Sequence, residues 1–129
     1  MSTINGLISP EEAKELDANY TERYNLISRD ITKRNDNRST WFAIEDLEAY
    51  LEHAKKQAIK LGYELNGIRI YNGAYKNENS KVGYSTVFLV PTADNSLGKD
   101  GNGGGGDIDG GDGLNRGSAG NPPGANYPQ

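Results

Sequence analysis

The sequence predicts a small α+β domain over residues 1–92, followed by a flexible tail rich in Gly, Asp and Pro over residues 93–129. Two stretches with apolar residues at three- and four-residue spacing predict helices, and two later runs have the alternating or continuous apolar pattern of strands. The composition changes abruptly after residue 92, because the tail holds 12 of the 17 glycines. We expect the order α-β-α-β-β, with a small three-stranded, mainly antiparallel sheet and two helices packed on one of its faces.

The first helix is expected to begin at Ser9 and to run to about Ile31. Ser9 suits the N-cap, Pro10 suits the first helical position, and Glu12 completes a capping box. The apolar residues that follow recur along one helical face: Ala13, Leu16, Tyr20, Tyr24, Ile27 and Ile31. Residues 33–39 contain charges and turn formers without an apolar side chain, so they predict a solvated loop.

A short β-prone run over residues 40–44 leads into the second helix. Glu45 and Asp46 favour a helix N-terminus, and Gly62 supplies a left-handed C-terminal stop. The apolar residues between these signals keep an alternating three- and four-residue spacing: Ile44, Leu47, Leu51, Ala54, Ala58 and Leu61. This is the clearest amphipathic pattern in the chain, and it predicts a helix with one face in the core.

Two strands follow the second helix and are expected to form a hairpin, because their connecting loop is short and sequential strands usually pair. The first strand alternates, which places Ile68 and Ile70 on one face and Arg69 and Tyr71 on the other. The second strand, residues 84–90, ends in four consecutive apolar residues, as is typical of a strand covered on both faces, and the proline after it is expected to end it. The predicted core comprises Trp41, Phe42, Leu47, Leu51, Ile68, Ile70, Phe88 and Val90.

The tail has almost no apolar side chain to bury, and ordering its backbone would cost about 1–2 kcal/mol per residue. We therefore expect it to be flexible. Residues 107–112 contain three aspartates and resemble a calcium-binding loop, but neither Asp107 nor Asp100 is followed by a glutamate at the twelfth position of an EF-hand loop. A calcium-responsive tail is one alternative for the function.

Charge and composition exclude several function classes. Residues 1–92 carry 12 Lys or Arg against 13 Asp or Glu, and the tail carries 2 against 5, so neither part has the basic field needed to bind nucleic acid or an anionic membrane. The sequence contains no apolar stretch as long as a membrane span, no signal segment and no cysteine. We expect a soluble, cytoplasmic protein that binds neither nucleic acid nor membrane.

The residue types of common catalytic and metal sites are missing. A chain with no cysteine and one histidine lacks the usual ligand set of a zinc site and any Cys-His nucleophile, and a Ser-His nucleophile would have to use that one histidine. That histidine, His53, lies away from the apolar face of its helix and is expected to be a solvated surface residue. The sequence therefore predicts no enzymatic activity, no cofactor and no metal.

The residues best suited to bind a partner are Trp41, Arg69, Tyr71, Tyr75 and Tyr127. If the helices cover the opposite face of the sheet, Arg69 and Tyr71 form an aromatic and guanidinium patch near Trp41, and these residue types are enriched at binding hot spots. The alternative is that the first helix or the tail folds over this face and makes it ordinary core. Tyr127 is the aromatic residue of a proline-rich terminal segment, which is either an extended, partner-binding peptide or an unstructured end.

Five segments carry distinctive residue runs: Leu-Ile-Ser-Pro-Glu-Glu-Ala over 7–13, Trp-Phe at 41–42 with the helix after it, Gly-Ile-Arg-Ile-Tyr-Asn-Gly-Ala-Tyr over 67–75, Thr-Val-Phe-Leu-Val-Pro-Thr over 86–92, and the Asn-Pro-Pro to Tyr-Pro-Gln ending of 121–129. Together these segments resemble a group of short, uncharacterised bacterial proteins. The resemblance spans nearly the whole chain, and it implies that the tail belongs to the protein, which favours a role for the tail. It implies no activity, because no function is known for that group.

Our leading hypothesis from the sequence is a non-enzymatic protein-interaction module whose tail contributes to partner binding. The partner is an unidentified protein or a second copy of the chain. A domain of this size buries only about 60–65% of the surface of its unfolded chain, so dimerisation or docking of the tail would supply further burial. The main alternative is a small-ligand binder or enzyme that uses Arg69 with nearby tyrosines and carboxylates.

Overall fold

The computed structural model describes residues 4–94, 105–120 and 123–129, and it confirms the predicted α+β class. Within these residues, two long helices accompany a three-stranded antiparallel sheet and a separate pair of short strands. The elements in chain order are α1 (Pro10–Leu26) with a π-helical continuation over Ile27–Ile31, β1 (Thr40–Trp41), α2 (Ile44–Lys60), β2 (Gly67–Ala74), β3 (Ser85–Ala93), β4 (Gly106–Asp107) and β5 (Ser118–Ala119). The flexibility predicted for residues 95–104 concerns a segment outside the described residues.

The helix ends follow the local signals in the sequence. Ser9 caps α1, because its backbone N–H donates to the Glu12 carboxylate at 2.9 Å and its hydroxyl accepts from the Glu12 N–H at 3.1 Å. Gly62 follows α2 with a φ of +91°, in the left-handed region that favours glycine. The capping box and the left-handed stop are therefore confirmed.

β2 and β3 form the predicted hairpin, in which all eight residues of β2 are paired with β3. The expectation that Pro91 ends the second strand is wrong, because β3 continues to Ala93. Proline lacks an N–H, but at this register that group would point away from β2, so no bond of the hairpin is lost. The Pro91 carbonyl, on the same outer side, accepts from the Ile108 N–H at 3.0 Å.

The third strand of the sheet comes from the tail, whereas the sequence predicts that the run beginning at Thr40 supplies it. β4 pairs with the second edge of β3, with Asp107 opposite Thr92, and Leu114 exchanges two backbone hydrogen bonds of 2.9 Å with Leu89. β1 instead pairs with β5 in the separate two-stranded sheet. These ladders use backbone groups that every residue carries, so a pattern of side chains does not reveal them.

The described part of the tail also contributes to the core. Ile108 is only 5% exposed and lies with Ala58 of α2 and Ala93 of β3 in a small apolar cluster. This isoleucine and the backbone bonds to β3 hold residues 105–114 against the body. These residues differ from the contact-free segment that the composition suggests, because backbone pairing offsets the entropy cost of ordering a chain that is poor in apolar side chains.

The main core lies between α2 and one face of the sheet. Its buried residues are Tyr50, Ala54 and Leu89, and the partly buried residues around them are Phe42, Leu47, Leu65, Ile68, Val87 and Leu114. α1 lies on the same side of the sheet farther along, where its residues and those of the sheet line a cleft that includes Asn72 and Val87. Both helices therefore lie on one side of the sheet, as predicted.

Half of the predicted core is exposed: Trp41 (63%), Leu51 (41%), Ile70 (64%) and Phe88 (37%). The other half is partly buried: Phe42, Leu47, Ile68 and Val90. Trp41 is exposed because its strand belongs to the small separate sheet. Ile70 lies in β2, at the edge of the sheet, and Phe88 lies on the face that neither helix covers.

Tyr50 takes the place in the core that the spacing predicts for Leu51. α2 turns Tyr50, Ala54 and Ala58 inward, so Leu51 lies at the margin of the buried stripe. The Tyr50 hydroxyl donates toward two carbonyls, those of Asp112 at 2.9 Å and Leu89 at 3.3 Å, which satisfies its polar end. Burial, aided by the nearby Asp112 charge, raises the pKa of the phenol.

A buried carboxylate anchors the loop between α1 and β1. Asp36 has no exposed surface: its Oδ1 accepts from the Ser85 N–H at 2.7 Å, and its Oδ2 accepts from the Ser85 hydroxyl. Its backbone N–H donates to Ser28 Oγ at 3.0 Å, and its carbonyl accepts from the Tyr24 hydroxyl at 3.0 Å. The prediction of a solvated loop is wrong at this residue, because hydrogen bonds compensate the burial of its polar groups.

Arg38 joins the same loop to α1, and its side chain is only 3% exposed. Its Nε donates to Asp17 Oδ1 at 3.1 Å, and its Nη2 donates to Thr21 Oγ1 at 3.0 Å. The guanidinium carbon lies 5.5 Å from the ring centre of Tyr20 and 5.1 Å from that of Tyr24. The charge is therefore buried with a carboxylate, a hydroxyl and two aromatic rings around it.

The tail is also fastened to α2 by side chains. Asp112 Oδ2 lies 2.9 Å from His53 Nε2 and accepts from Gln57 Nε2 at 3.0 Å, while the Asp112 N–H donates to Gln57 Oε1 at 2.8 Å. The hydrogen bonds from His53 and then Gln57 lower the pKa of the Asp112 carboxyl. His53 is 54% exposed, as expected for a surface residue, but it has this partner in the tail.

Replacement of Asp36 tests the anchor. We expect Asp36→Ala to lower the free energy of unfolding by about 2–4 kcal/mol, because the Ser85 N–H and hydroxyl would lose their buried acceptor. Urea unfolding followed by circular dichroism measures this loss. Asp30→Ala is the matched control, since Asp30 is an exposed aspartate paired with Arg29, and its change should stay within about 0.5 kcal/mol. Equal stability of the two variants would contradict the anchor.

The contacts of Asp112 make a contribution to stability that depends on pH. Its pKa is lower in the folded protein than in the unfolded chain, so the contribution is present above the unfolded value of about 3.9 and is lost as the pH falls through the folded value. We expect the stability difference between the natural chain and Asp112→Asn, measured by urea unfolding, to shrink below about pH 4. Asp109→Asn removes one negative charge from the same segment and is the control. A difference for Asp112→Asn that stays constant with pH would count against this contribution.

Candidate functional site

The sheet face opposite the helices carries most of the side chains that the sequence predicts as partner-binding residues. Because neighbouring residues of a strand point to opposite faces, Arg69 and Tyr71 point away from Ile68, which packs toward α2. We call this surface the aromatic face and define it by Arg69, Tyr71, Tyr75, Thr86 and Phe88. Tyr75 continues the register beyond β2, since its N–H donates to the Tyr84 carbonyl at 2.9 Å.

Arg69 is held by the tail at one end of the aromatic face. Its Nη1 donates to Asp107 Oδ1 at 2.6 Å, and its Nη2 donates to the Gly105 carbonyl at 2.9 Å. The hydrogen bond to Asp107 raises the pKa of the guanidinium further above its ordinary value. Both charged side chains remain about one-third exposed, at 34% for Arg69 and 32% for Asp107, so this ion pair is reachable from solvent.

Tyr71 lies beside Arg69 and shares the same carboxylate. Its hydroxyl donates to Asp107 Oδ2, and its ring is stacked on that of Phe88 with centres 5.2 Å apart and planes 13° apart. The hydrogen bond to Asp107 raises the pKa of the phenol. A Cβ at Gly73 would lie 3.3 Å from the Phe88 ring, so glycine at this position leaves room for that ring.

Tyr75 and Thr86 form the other end of the aromatic face. The Thr86 hydroxyl donates to the Tyr75 hydroxyl at 3.2 Å and accepts from Asn115 Nδ2 at 3.0 Å. Asn115 also donates to the Val87 carbonyl at 2.8 Å. The tail therefore contacts the face at both ends, through Asp107 and through Asn115.

The structure brings three of the five predicted partner-binding residues together on this face: Arg69, Tyr71 and Tyr75. Trp41 lies in β1, which pairs with β5 in the other sheet, and it is 63% exposed. Tyr127 is 43% exposed in the terminal segment, whose Pro123 carbonyl accepts from the Arg38 N–H at 3.0 Å. Both belong to the region around β1, because Gln129 donates to Ser39 Oγ at 3.1 Å, and we call this region the second exposed area.

The sequence predicts other roles for two residues that organise the aromatic face. Phe88 is predicted as core, although its register opposite Tyr71 puts it on the face that the helices leave open. Asp107 is predicted as part of a calcium-like stretch, and no local signal in the sequence links it to a residue 38 positions away. Alternation within the second strand could have identified Phe88, whereas Asp107 required the path of the tail.

The aspartates of that stretch have separate partners. Asp107 contacts Arg69 and Tyr71 on the aromatic face, and Asp112 contacts His53 and Gln57 of α2. In the described part of the chain, no three His, Cys, Asp or Glu side chains converge as metal ligands would.

A cleft of about 390 Å³ lies on the helix side of the sheet, between α1 and β3. Its lining residues are Leu16, Asp17, Tyr20, Asn37, Arg38, Ser39, Thr40, Asn72, Ser85, Thr86 and Val87. The strongest charge in it, Arg38, is already paired with Asp17 and packed between two tyrosines. Apart from this ion pair, the cleft is lined by apolar, hydroxyl and amide side chains, and neither Arg69 nor Tyr71 lines it.

Comparisons of the chain with protein-family models, with curated proteins and with solved structures give no match. Among the described helices, none combines the length and the apolar character required to cross a bilayer.

The pKa of Tyr71 reports whether Asp107 holds the aromatic face in solution. We expect Asp107→Asn to lower this pKa toward the ordinary tyrosine value of about 10, because the phenolate would no longer form beside a carboxylate. NMR titration of tyrosine labelled with carbon-13 measures it for each ring. Asp109→Asn, a change of the same charge two residues away, should leave the Tyr71 titration as it is in the natural chain. An unchanged Tyr71 pKa in Asp107→Asn would show that the bond does not form.

Proposed function

We propose that this protein is a non-enzymatic protein-interaction module that binds a protein partner through the aromatic face. The observation that carries the proposal is the exposed, stacked pair of Tyr71 and Phe88 beside the Arg69 guanidinium, on a sheet face that neither described helix covers. Tyrosine and arginine are enriched among the few interface residues that carry most of the binding free energy. A cytoplasmic location, as the sequence predicts, belongs to the same proposal.

The arrangement of these side chains favours binding because it is formed before a partner arrives. Arg69 and Tyr71 share one carboxylate, and the Tyr71 ring is stacked on Phe88, so these long side chains have lost much of their rotamer freedom already. Binding to mobile side chains would cost about 0.5–1.5 kcal/mol for each one that is immobilised. A partner of the aromatic face avoids part of this cost.

The tail contributes to the proposed function in two ways. Asp107 orients Arg69 and Tyr71, and Asn115 bonds to Thr86 at the far end of the face. The second exposed area, with Trp41 and Tyr127, would give a large partner further aromatic contacts. We therefore propose that the partner reaches from the aromatic face to the terminal segment.

The alternative of a small-ligand binder or enzyme built on Arg69 has less support. An anionic substrate would have to displace Asp107 from the guanidinium, and it would lose a charge-assisted bond of 2.6 Å in the exchange. A flat, partly exposed surface also excludes water poorly, whereas small-ligand sites bury most of the ligand in a concave pocket. Both points favour a protein surface as the partner.

Replacement of Tyr71 tests the proposed face. The full chain, Tyr71→Ala and Ile59→Ala are immobilised separately and exposed to lysate of the native host, and captured proteins are quantified by mass spectrometry. Ile59 is a matched control because it is 72% exposed and lies on α2, which packs on the other side of the sheet. We expect a protein that the natural chain and Ile59→Ala retain, and for which Tyr71→Ala raises the Kd by about 30-fold, as a hot spot of 2 kcal/mol would.

Two results would contradict the proposal. One is equal capture of the same proteins by all three chains. The other is a metabolite that raises the Tm of the natural chain and of Ile59→Ala but not of Arg69→Ala, since that result would favour the small-ligand alternative.

A further inference from the structure

β2 has a free edge within the described part of the chain. It is an outer strand of the sheet and pairs only with β3, over all eight of its residues. In an antiparallel pair, the N–H and C=O of successive residues alternate between the partner strand and the outside. The bond from the Tyr75 N–H to the Tyr84 carbonyl fixes the odd-numbered residues of β2 as those that bond to β3.

The backbone groups of Ile68, Ile70, Asn72 and Ala74 therefore point to the free edge. The central strand gives an independent check of this alternation. Leu89, which lies opposite Ile70, directs its N–H and C=O away from β2, to Leu114. These four alternate residues thus present their backbone N–H and C=O groups to solvent at regular intervals along the edge.

Long free edges are aggregation hazards, and proteins usually protect them with lysine, proline, a bulge or a very short strand. β2 has none of these features, since its sequence is Gly-Ile-Arg-Ile-Tyr-Asn-Gly-Ala with an uninterrupted register. Its only charged residue, Arg69, leans across β3 toward Asp107, and so does Tyr71. The edge is left unobstructed by the side chains that could have covered it.

Ile70 gives a second reason to expect a neighbour at this edge. Its side chain is on the same face as Ile68 and Leu89, which pack toward α2, yet it is 64% exposed. A strand next to β2 would cover part of this isoleucine with the side chains of its own residues. The unpaired backbone groups and the exposed side chain of Ile70 thus both favour a further strand next to β2.

We propose that β2 of a second copy of this chain pairs with this edge, antiparallel, with the two-fold axis at Tyr71. In this register Ile70 lies opposite Asn72 of the second copy and Ile68 lies opposite Ala74, so all four outward-pointing residues form hydrogen-bonded pairs. A two-fold interface uses one surface twice, and a strand edge meets that requirement without a change of shape.

Charge disfavours one neighbouring register. With the axis at Tyr71, Arg69 lies opposite Gly73 of the second copy, so the two guanidinium groups stay apart. With the axis at Arg69, two like charges would lie directly opposite each other, which is destabilising. The proposed register overlaps seven of the eight residues of each strand and pairs all four outward-pointing residues with one another, whereas an axis at Ile70 would leave Ala74 opposite Asn66, outside the strand.

The dimer joins the two three-stranded sheets into one sheet of six strands and places the two aromatic faces side by side. This inference does not depend on the proposed function, because it concerns the edge of β2 and not the aromatic face. Failure to find a protein partner would leave it intact, and a monomeric chain would leave the aromatic face available to a partner.

Sedimentation of the full chain tests the dimer. We expect the natural chain to be a dimer at about 100 µM, and Ile70→Lys to be a monomer, because a lysine at the edge would bring two like charges close to the axis. Ile59→Lys is the matched control, since Ile59 is an exposed isoleucine of α2, and it should remain a dimer. A monomeric natural chain, or a dimeric Ile70→Lys, would overturn the proposal.

A second variant protects the test against misfolding of the first. Asn72→Pro removes one N–H that points to the free edge and none that bonds to β3, so the hairpin should survive. Circular dichroism verifies the fold of each variant. We expect a folded monomer, and a folded dimer of Asn72→Pro with unchanged affinity would count against pairing at this edge.

Single cysteines then test the register, because the natural chain has none. With the axis at Tyr71, the two Cα atoms of residue 71 would lie about 4.5 Å apart, within reach of a disulfide. Residue 72 of one copy would be more than about 7 Å from residue 72 of the other, beyond that reach. Under oxidation we expect Tyr71→Cys to form a covalent dimer on a non-reducing gel. Asn72→Cys should run as a monomer on the same gel. The reverse pattern would exclude this register.

Discussion

β3 pairs with β2 on one edge and with the tail on the other, and this second pairing determines where every other contact of the tail can form. The bonds of Leu114 and Ile108 to β3 fix the tail along the sheet. From that position Ile108 enters the apolar cluster with Ala58, Asp112 reaches His53, and Asp107 reaches the aromatic face. None of these side-chain contacts is strong alone, since the ion pairs are partly exposed, but the shared backbone ladder makes them mutually supporting.

Local signals in the sequence predict the helices and the hairpin correctly, because those elements depend on residues that are close in the sequence. The capping box of Ser9, the left-handed Gly62 and the alternation in β2 each act within a few residues, and all three are found. The rotation of α2 was not predictable from spacing alone. Tyr50 enters the core in place of Leu51 because two carbonyls, one of them in the tail, satisfy its hydroxyl. The burial of Asp36 depends in the same way on a partner 49 residues away.

The aromatic face was partly predictable for a related reason. Alternation along β2 predicts correctly that Arg69 and Tyr71 lie on one face, and Tyr75 follows the same register. The sequence also predicts Trp41 near them, which requires that its strand join the main sheet; this is wrong, because β1 pairs with β5 and the tail occupies the second edge of β3. A strand edge accepts any backbone, so the choice between two competing segments is decided by chain path and burial, which composition does not encode.

The closing of the sheet by residues near the end of the chain has a consequence for its synthesis. The hairpin of β2 and β3 leaves the ribosome before Gly106 and Leu114, so the second edge of β3 has no native partner until those residues follow. During that interval the nascent chain exposes the unpaired backbone of this edge, and unpaired strand edges make folding intermediates prone to aggregation. Final assembly also waits for β5, whose partner Thr40 was made far earlier. The order of translation thus places the pairing of β4 with β3 and of β5 with β1 after the hairpin has been made.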